Sequence, residues 1–339
     1  MFCWHVKRTG LFSRLKPGQR YGDMMENRKR KRGRFIKRTA GKGFRRTRAA
    51  GIGIRRKNRH GVGRKGKFGI KRFIRRFREN PHAKQELTLV ANPAAQTVAA
   101  IVTLMNEEQS ITAVLDQLQR LPLHEIVVVI NGSTDESFYK ARKYANATII
   151  HYPQPLGYDV GRAVGAKMAQ SDILLFVDGD IPIPAERLVP FVHAIAKGMD
   201  VALNDISPYV GLFHRRDHVS IIKEFTNRSL GRPDLGINSL TAVPHALSRR
   251  ALDIIGFSNL MVPPKAQASA ILQGLKISMP ASIDVITRNR MRGHNVGMSN
   301  PVSEMIVGDH IEALNMAMAA GGERLSCIDT LRKRWLAGG

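Results

Sequence analysis

The chain predicts an α/β fold: a mostly parallel, doubly wound sheet flanked by helices and preceded by a disordered basic arm. Three observations carry this. From Thr97 onward, short continuous apolar runs alternate with segments of helical period. Clusters of polar residues fall at the ends of those runs. The charge is confined to one end: residues 1–80 hold 29 Lys/Arg against three acids (Asp23, Glu26 and Glu79), a net +26 of the +27 carried by all 339 residues.

Residues 1–80 read as a Gly/Arg/Lys-rich, low-complexity arm. "GKGFRR", "GIGIRR" and "GVGRK" place Gly41, Gly51 and Gly61 at a ten-residue step. Such sequence has too little apolar surface to offset the entropy of ordering it. Within the arm, Phe68, Ile70, Phe73, Ile74 and Phe77 suit one face of a short basic amphipathic helix. The arm's expected partner is an anionic surface: membrane lipid, wall polymer or nucleic acid. Residues 1–24 are less basic, and Met24 or Met25 is an alternative start. Residues 81–96 are a linker. Cys3 and Cys327 stand at opposite ends and form no disulfide framework. No apolar run approaches the ~20 residues of a membrane span, and no signal peptide is seen. A cytoplasmic product, soluble or peripheral to the membrane, is expected.

The body follows in order. "TVAAIVTLM" (97–105) is a strand buried on both faces. In 106–121, Ile111, Val114, Leu115 and Leu118 keep the spacing of a helix face. Strands are expected at 124–130, 147–152, 172–177 and 200–206. Helices are expected within 131–145, 157–170 and 183–198. Ligands of such sheets bind beyond the carboxyl ends of the strands. There lie Asn106-Glu107-Glu108, the run Asn131 to Asp135, and Asp178-Gly179-Asp180. Two carboxylates separated by one small residue at a strand end suit a hard divalent cation, Mn2+ or Mg2+, that completes its shell with phosphate oxygens and water. A lone D-x-D is common by chance, and a solvated strand end is the plain alternative.

The surrounding motifs sharpen this. "TLMNEEQSI", "VVVINGSTDES" and "GYDVGRAVGAKMAQSDILLFVDGD" occur in the order and spacing of the first-strand, second-strand, glycine-loop and D-x-D segments of family-2-like glycosyltransferases of the GT-A type, which the chain resembles over about 97–205. "VPHALSRRAL" (243–252) is loosely similar to their acceptor-side segment. The resemblance implies a GT-A type nucleotide-diphospho-sugar transferase fold, with a nucleotide-sugar-binding half at 97–205 and an acceptor-binding half at 206–330. It implies a UDP- or GDP-sugar donor. Glu107 would contact the nucleoside, beside Asn106. Asn131 and Asp135 would line the base and ribose pocket. The loop from Gly157 to Arg162 would approach the diphosphate, and Asp178 and Asp180 would hold the metal. Asn106 and Ser133 equally suit helix capping.

Two departures stand out. Ile130 occupies a position where the family commonly has Asp. The carboxylate pair that inverting members use to deprotonate the acceptor is missing from "NLMVPPKAQASAILQGLKI". Asp309 in "VGDHIEAL" is a candidate catalytic carboxylate, with surface or helix-capping use as the plainer alternative. Some retaining members, such as the glucosyl-3-phosphoglycerate synthases, add a late His to the metal. His294, in "TRNRMRGHNVGMSN" with Arg288, Arg290 and Arg292, stands in a similar loop. The activity expected is metal-dependent sugar transfer to an unknown acceptor. A catalytically degenerate scaffold anchored by the arm is the alternative. A nucleotidyltransferase is a third reading, but the Gly-rich basic loop of that class is absent after Leu104.

Overall fold

In the computed structural model, residues 96–287, 301–333 and 336 are described. The expectations for the basic arm, for linker residues 81–95, and for His294, Arg288, Arg290 and Arg292 lie outside them. All described residues belong to one compact unit.

Four strands form the first half of the sheet: β1 (Val98–Leu104), β2 (Glu125–Asn131), β3 (Ala147–Tyr152) and β4 (Ile173–Asp178). They run parallel in the order β3-β2-β1-β4. The helices are α1 (Ile111–Leu118), α2 (Ser137–Ala141), α3 (Val160–Met168), α4 (Ala185–Ala196), α5 (His218–Ser229), α6 (Arg249–Ile255), α7 (Pro263–Leu272) and α8 (Pro301–Gly321). β1, β2 and β4 are continuously apolar because both of their faces are covered. Val98, Ala100, Val102 and Leu104 pack with Ile111, Val114 and Leu115 of α1 and Leu188 and Phe191 of α4. Ala99 and Ile101, pointing the other way, pack with Ala163 and Ala166 of α3 and with Leu252 and Ala266 of α6 and α7.

The remaining strands are β5 (Val201–Asn204), β6 (His245–Ser248) and β7 (Ile277–Ala281). They extend the sheet to β3-β2-β1-β4-β6-β5-β7 among the described residues. β6 runs antiparallel to both of its neighbours, pairing Phe176 with His245 and Val201 with Leu247. The strand expected at 200–206 is therefore present, but β6 separates it from β4. Strands from 97–205 and 206–330 share one sheet. The helix expected within 131–145 is short, because residues 132–136 are taken up by the loop that leaves β2.

Candidate functional site

The parallel register brings Thr103 of β1 beside Asp178 of β4 at their carboxyl ends. Asp178 Oδ1 accepts a 3.0 Å hydrogen bond from Thr103 Oγ1, and Gly179 N–H donates to the Thr103 carbonyl at 2.9 Å. A Cβ at position 179 would sit 2.7 Å from Leu104 Cβ, so only glycine lets the chain lie this close to β1. Half-buried Asp180 follows directly.

Arg162, 7 % exposed on the first turn of α3, reaches across to this strand end. Its guanidinium is 2.9 Å from Asp159, 3.2 Å from the Leu240 carbonyl and 3.5 Å from Asp178 Oδ2. Burial works against its charge. Asp159, Asp178 and Asp180 outweigh that and hold the guanidinium charged, with its pKa above the usual range. Asp159, just before α3, stands in the left-handed region, φ 59°. Burial pushes its pKa up and Asp178 adds to this, while Arg162 opposes both.

Asn106 is also left-handed, φ 58°, a conformation asparagine tolerates. Its Oδ1 accepts from Thr134 N–H at 2.8 Å, and its own N–H donates to Ser133 Oγ at 3.0 Å. The ends of β1 and β2 are thereby joined. Glu107 is 2 % exposed, and Ser110 Oγ donates to its carboxylate at 3.0 Å. Asn131 donates to the Gly157 carbonyl at 2.8 Å and accepts from Leu156 N–H at 2.7 Å. Asp135 accepts from the backbone N–H groups of Glu108 and Ser137, both at 3.0 Å. Burial raises its pKa, but the hydrogen bonds from Ser137 and Glu108 prevail and lower it. The structure thus places Asn106, Glu107, Asn131, Asp135, Gly157, Arg162, Asp178 and Asp180 in the loops and helix starts that follow the carboxyl ends of the parallel strands. Glu107, Asn131 and Asp135 are engaged by hydrogen bonds within those loops.

The second half brings groups that pattern reading missed. Gln267, Asn227 and Asn238 form a buried amide network. Gln267 Nε2 donates to Asn227 Oδ1 at 2.7 Å, Gln267 Oε1 accepts from Leu240 N–H at 2.9 Å, and Asn227 Nδ2 donates to the Asn238 carbonyl at 3.0 Å. The network fixes the loop whose Leu240 carbonyl takes Arg162. His245 stacks on Phe176, with ring centroids 4.9 Å apart, and its Nδ1 lies 3.0 Å from the Ala242 carbonyl. Burial, then the charge of Arg162, pull its pKa down to about 3 despite that hydrogen bond, so it stays neutral. Lys223 on α5 is drawn down to about 8 by burial, with Arg162 adding to this and Asp217 opposing. Asp309 on α8, far off in sequence, lies within electrostatic reach of Asp159. Burial first, then Asp159 and Glu312, push it up to about 6. The one local signal available was the i,i+3 spacing of Asp159 and Arg162; the amide network has none.

The donor set fits a divalent cation. One guanidinium faces three carboxylates, which leaves an excess of negative charge. The Asp178 side chain is 33 % exposed and its oxygens are the hard donors such ions take. Among the described residues no group of three or more His, Cys, Asp or Glu is placed to hold a metal.

Residues 99–253 match the family model for glycosyl transferase family 2. That span runs from β1 into α6 and contains the whole Asp159, Arg162, Asp178 and Asp180 arrangement. The resemblance to family-2-like glycosyltransferases of the GT-A type, and the GT-A type fold it implied, are borne out there. Among individual proteins, a glucosyl-3-phosphoglycerate synthase of Mycolicibacterium paratuberculosis (strain ATCC BAA-968 / K-10) is 28% identical over 158 residues, 44% of this chain and 43% of that protein. An uncharacterized glycosyltransferase of Mycobacterium tuberculosis (strain ATCC 25618 / H37Rv) is 29% identical over 119 residues, 35% of this chain and 53% of that protein. The chain thus spans about half the length of these relatives. A crystal structure of glucosyl-3-phosphoglycerate synthase from Mycobacterium tuberculosis, in complex with Mn2+, uridine diphosphate and phosphoglyceric acid, aligns with a TM-score of 0.49 and 18% identity, covering 71% of this chain and 83% of that one.

Proposed function

We propose that the protein is a metal-dependent glycosyltransferase that moves a sugar from a nucleoside-diphosphate donor to an acceptor. The observation that carries the reading is Asp178-Gly179-Asp180 at the end of β4, held by Thr103 and Arg162 inside the family-matched span. Asp178 and Asp180 would hold Mn2+ or Mg2+, which would supply positive charge against a diphosphate leaving group. Arg162 lies beside them to meet phosphate oxygens. The wall built by Asn106, Glu107, Asn131, Asp135 and Gly157 shapes the nucleoside side. His294, outside the described residues, is put forward as a further ligand.

Asp309 is the carboxylate we put forward to take the acceptor's proton. A pKa near 6 suits a general base at neutral pH, and the charge of Asp159 reaches it from the start of α3. The name of one relative, a glucosyl-3-phosphoglycerate synthase, makes a UDP- or GDP-linked glucose the first donor to try and 3-phosphoglycerate the first acceptor.

Calorimetry of UDP binding with and without Mn2+ tests the reading. The intact protein should bind UDP far more tightly with metal, and Asp180→Ala should lose at least roughly tenfold of that affinity while melting normally without ligand. Unchanged metal-dependent affinity in the folded variant refutes the site. No nucleotide binding at all leaves the degenerate-scaffold reading. Release of nucleoside diphosphate on turnover, rather than pyrophosphate, separates sugar transfer from nucleotidyl transfer.

A further inference from the structure

Away from the strand-end crevice, the second half carries an apolar surface. The segment between β5 and α5 exposes Leu212 by 70 % and Phe213 by 63 %. Arg216 ties this tip to α5: it donates to the Gly211 carbonyl at 3.1 Å, pairs with Glu224, and lies 6.0 Å from the centre of the Phe213 ring. The outer face of α5 extends the surface with Ile221 and Phe225, one helical turn apart and 38 % and 55 % exposed. Thr226 and Asn227, on the inner face of the same helix, are buried. The stripe is therefore additional to what α5 needs for packing. Four large apolar side chains on adjoining elements exceed the scattered exposure normal at a soluble surface.

The rim is cationic. His214, Arg215 and His218 are exposed. Arg216 and Arg228 both pair with Glu224 and neutralise it, and Asp217 is engaged as the cap of α5, accepting from Ser220 N–H at 2.7 Å. An apolar tip ringed by Arg and His matches the two attractions of a lipid interface: burial of apolar side chains at the acyl boundary, and cations among phosphates. The same chain carries a net +26 in its first 80 residues, and two weak attachments to one anionic surface reinforce each other.

We propose that this face docks on an anionic phospholipid bilayer, with Leu212, Phe213, Ile221 and Phe225 entering the headgroup boundary and Arg215 lying among the lipid phosphates. The docking is independent of the transfer chemistry. It sets α5 close to the membrane plane.

A reporter confined to the tip separates this face from the arm. In the full-length chain, Trp4 and Trp335 are replaced by Phe and Phe213→Trp is introduced. On vesicles of phosphatidylcholine with phosphatidylglycerol, emission should shift to the blue and be quenched by brominated acyl chains. Pure phosphatidylcholine should produce neither effect. At an ionic strength that screens the arm, Leu212→Asp in the natural chain should weaken vesicle binding by roughly tenfold or more, the scale set by burying one large apolar side chain. A reporter that stays water-exposed and unquenched while the protein is vesicle-bound overturns the proposal. So does a blue shift that grows with protein concentration without lipid, since the face then meets a second copy of the chain.

Discussion

Replacing Arg162 with methionine keeps much of its volume and removes its charge. The guanidinium stands 2.9 Å from Asp159 and 3.5 Å from Asp178, and the side chains are 9 %, 20 % and 33 % exposed. Removing one partner of a fully buried ion pair costs about 3–5 kcal/mol, because the other charge is left uncompensated. Water reaches both aspartates here, which reduces the expected loss to about 2–3 kcal/mol. For a domain of this size that is a fall in Tm of about 5–10 °C. The loss should be larger at pH 7 than at pH 5. Burial already raises the pKa of Asp159, and Arg162 is what lowers it. Without Arg162 the folded protein holds the proton to higher pH, so the cost of an unpaired charge appears as pH rises. Urea unfolding of wild type, Arg162→Met, Asp159→Asn and the double variant closes a double-mutant cycle, and a coupling of about 1 kcal/mol or more is expected. Additive effects, or a single-variant loss below about 0.5 kcal/mol, would show that Arg162 does not hold the site's carboxylates together.

Two further changes test the frame and the acid. Gly165 on α3 lies flush against the sheet: a methyl there would overlap Ile101 Cγ2 and sit 3.3 Å from Val129 Cγ2. Gly165→Ala should therefore destabilise by about 1–2 kcal/mol although alanine favours helix by about 1 kcal/mol, as read by the urea midpoint; a stabilised variant contradicts the close packing. Asp309, pushed up to about 6, binds its proton more tightly folded than unfolded, so stability falls as pH rises from about 4 through 6. Asp309→Asn should flatten that part of the profile and gain relative to wild type at pH 7; parallel profiles would place Asp309 in ordinary solvent.

Much of the first half of the sheet was legible in the sequence because its signals are local. A strand covered on both faces must be apolar throughout, so β1, β2 and β4 announce themselves as continuous runs. Asp178 and Asp180 stand out because acids directly after such a run need a reason. Gly179 reads as a close approach, and its contact with Leu104 supplies the cause. The concentration of charge in residues 1–80 is likewise plain from composition.

Tertiary structure decided what depends on partners remote in the chain. β6 has four residues, His-Ala-Leu-Ser, with no telling period, and becomes a strand because β4 and β5 offer edges on both sides. Glu107, Asn131 and Asp135 look like ligand contacts in sequence. Their engagement with Ser110, the 156–157 backbone and the start of α2 follows from how the loops at the strand ends meet. Asp309 comes under the influence of Asp159 because α8 folds back onto the body. The reason is physical: hydrophobic periodicity records which face of an element is buried, a property of neighbours in sequence. A polar group's partner and an acid's field depend on which distant elements share its surroundings, and that exists only once the chain has folded.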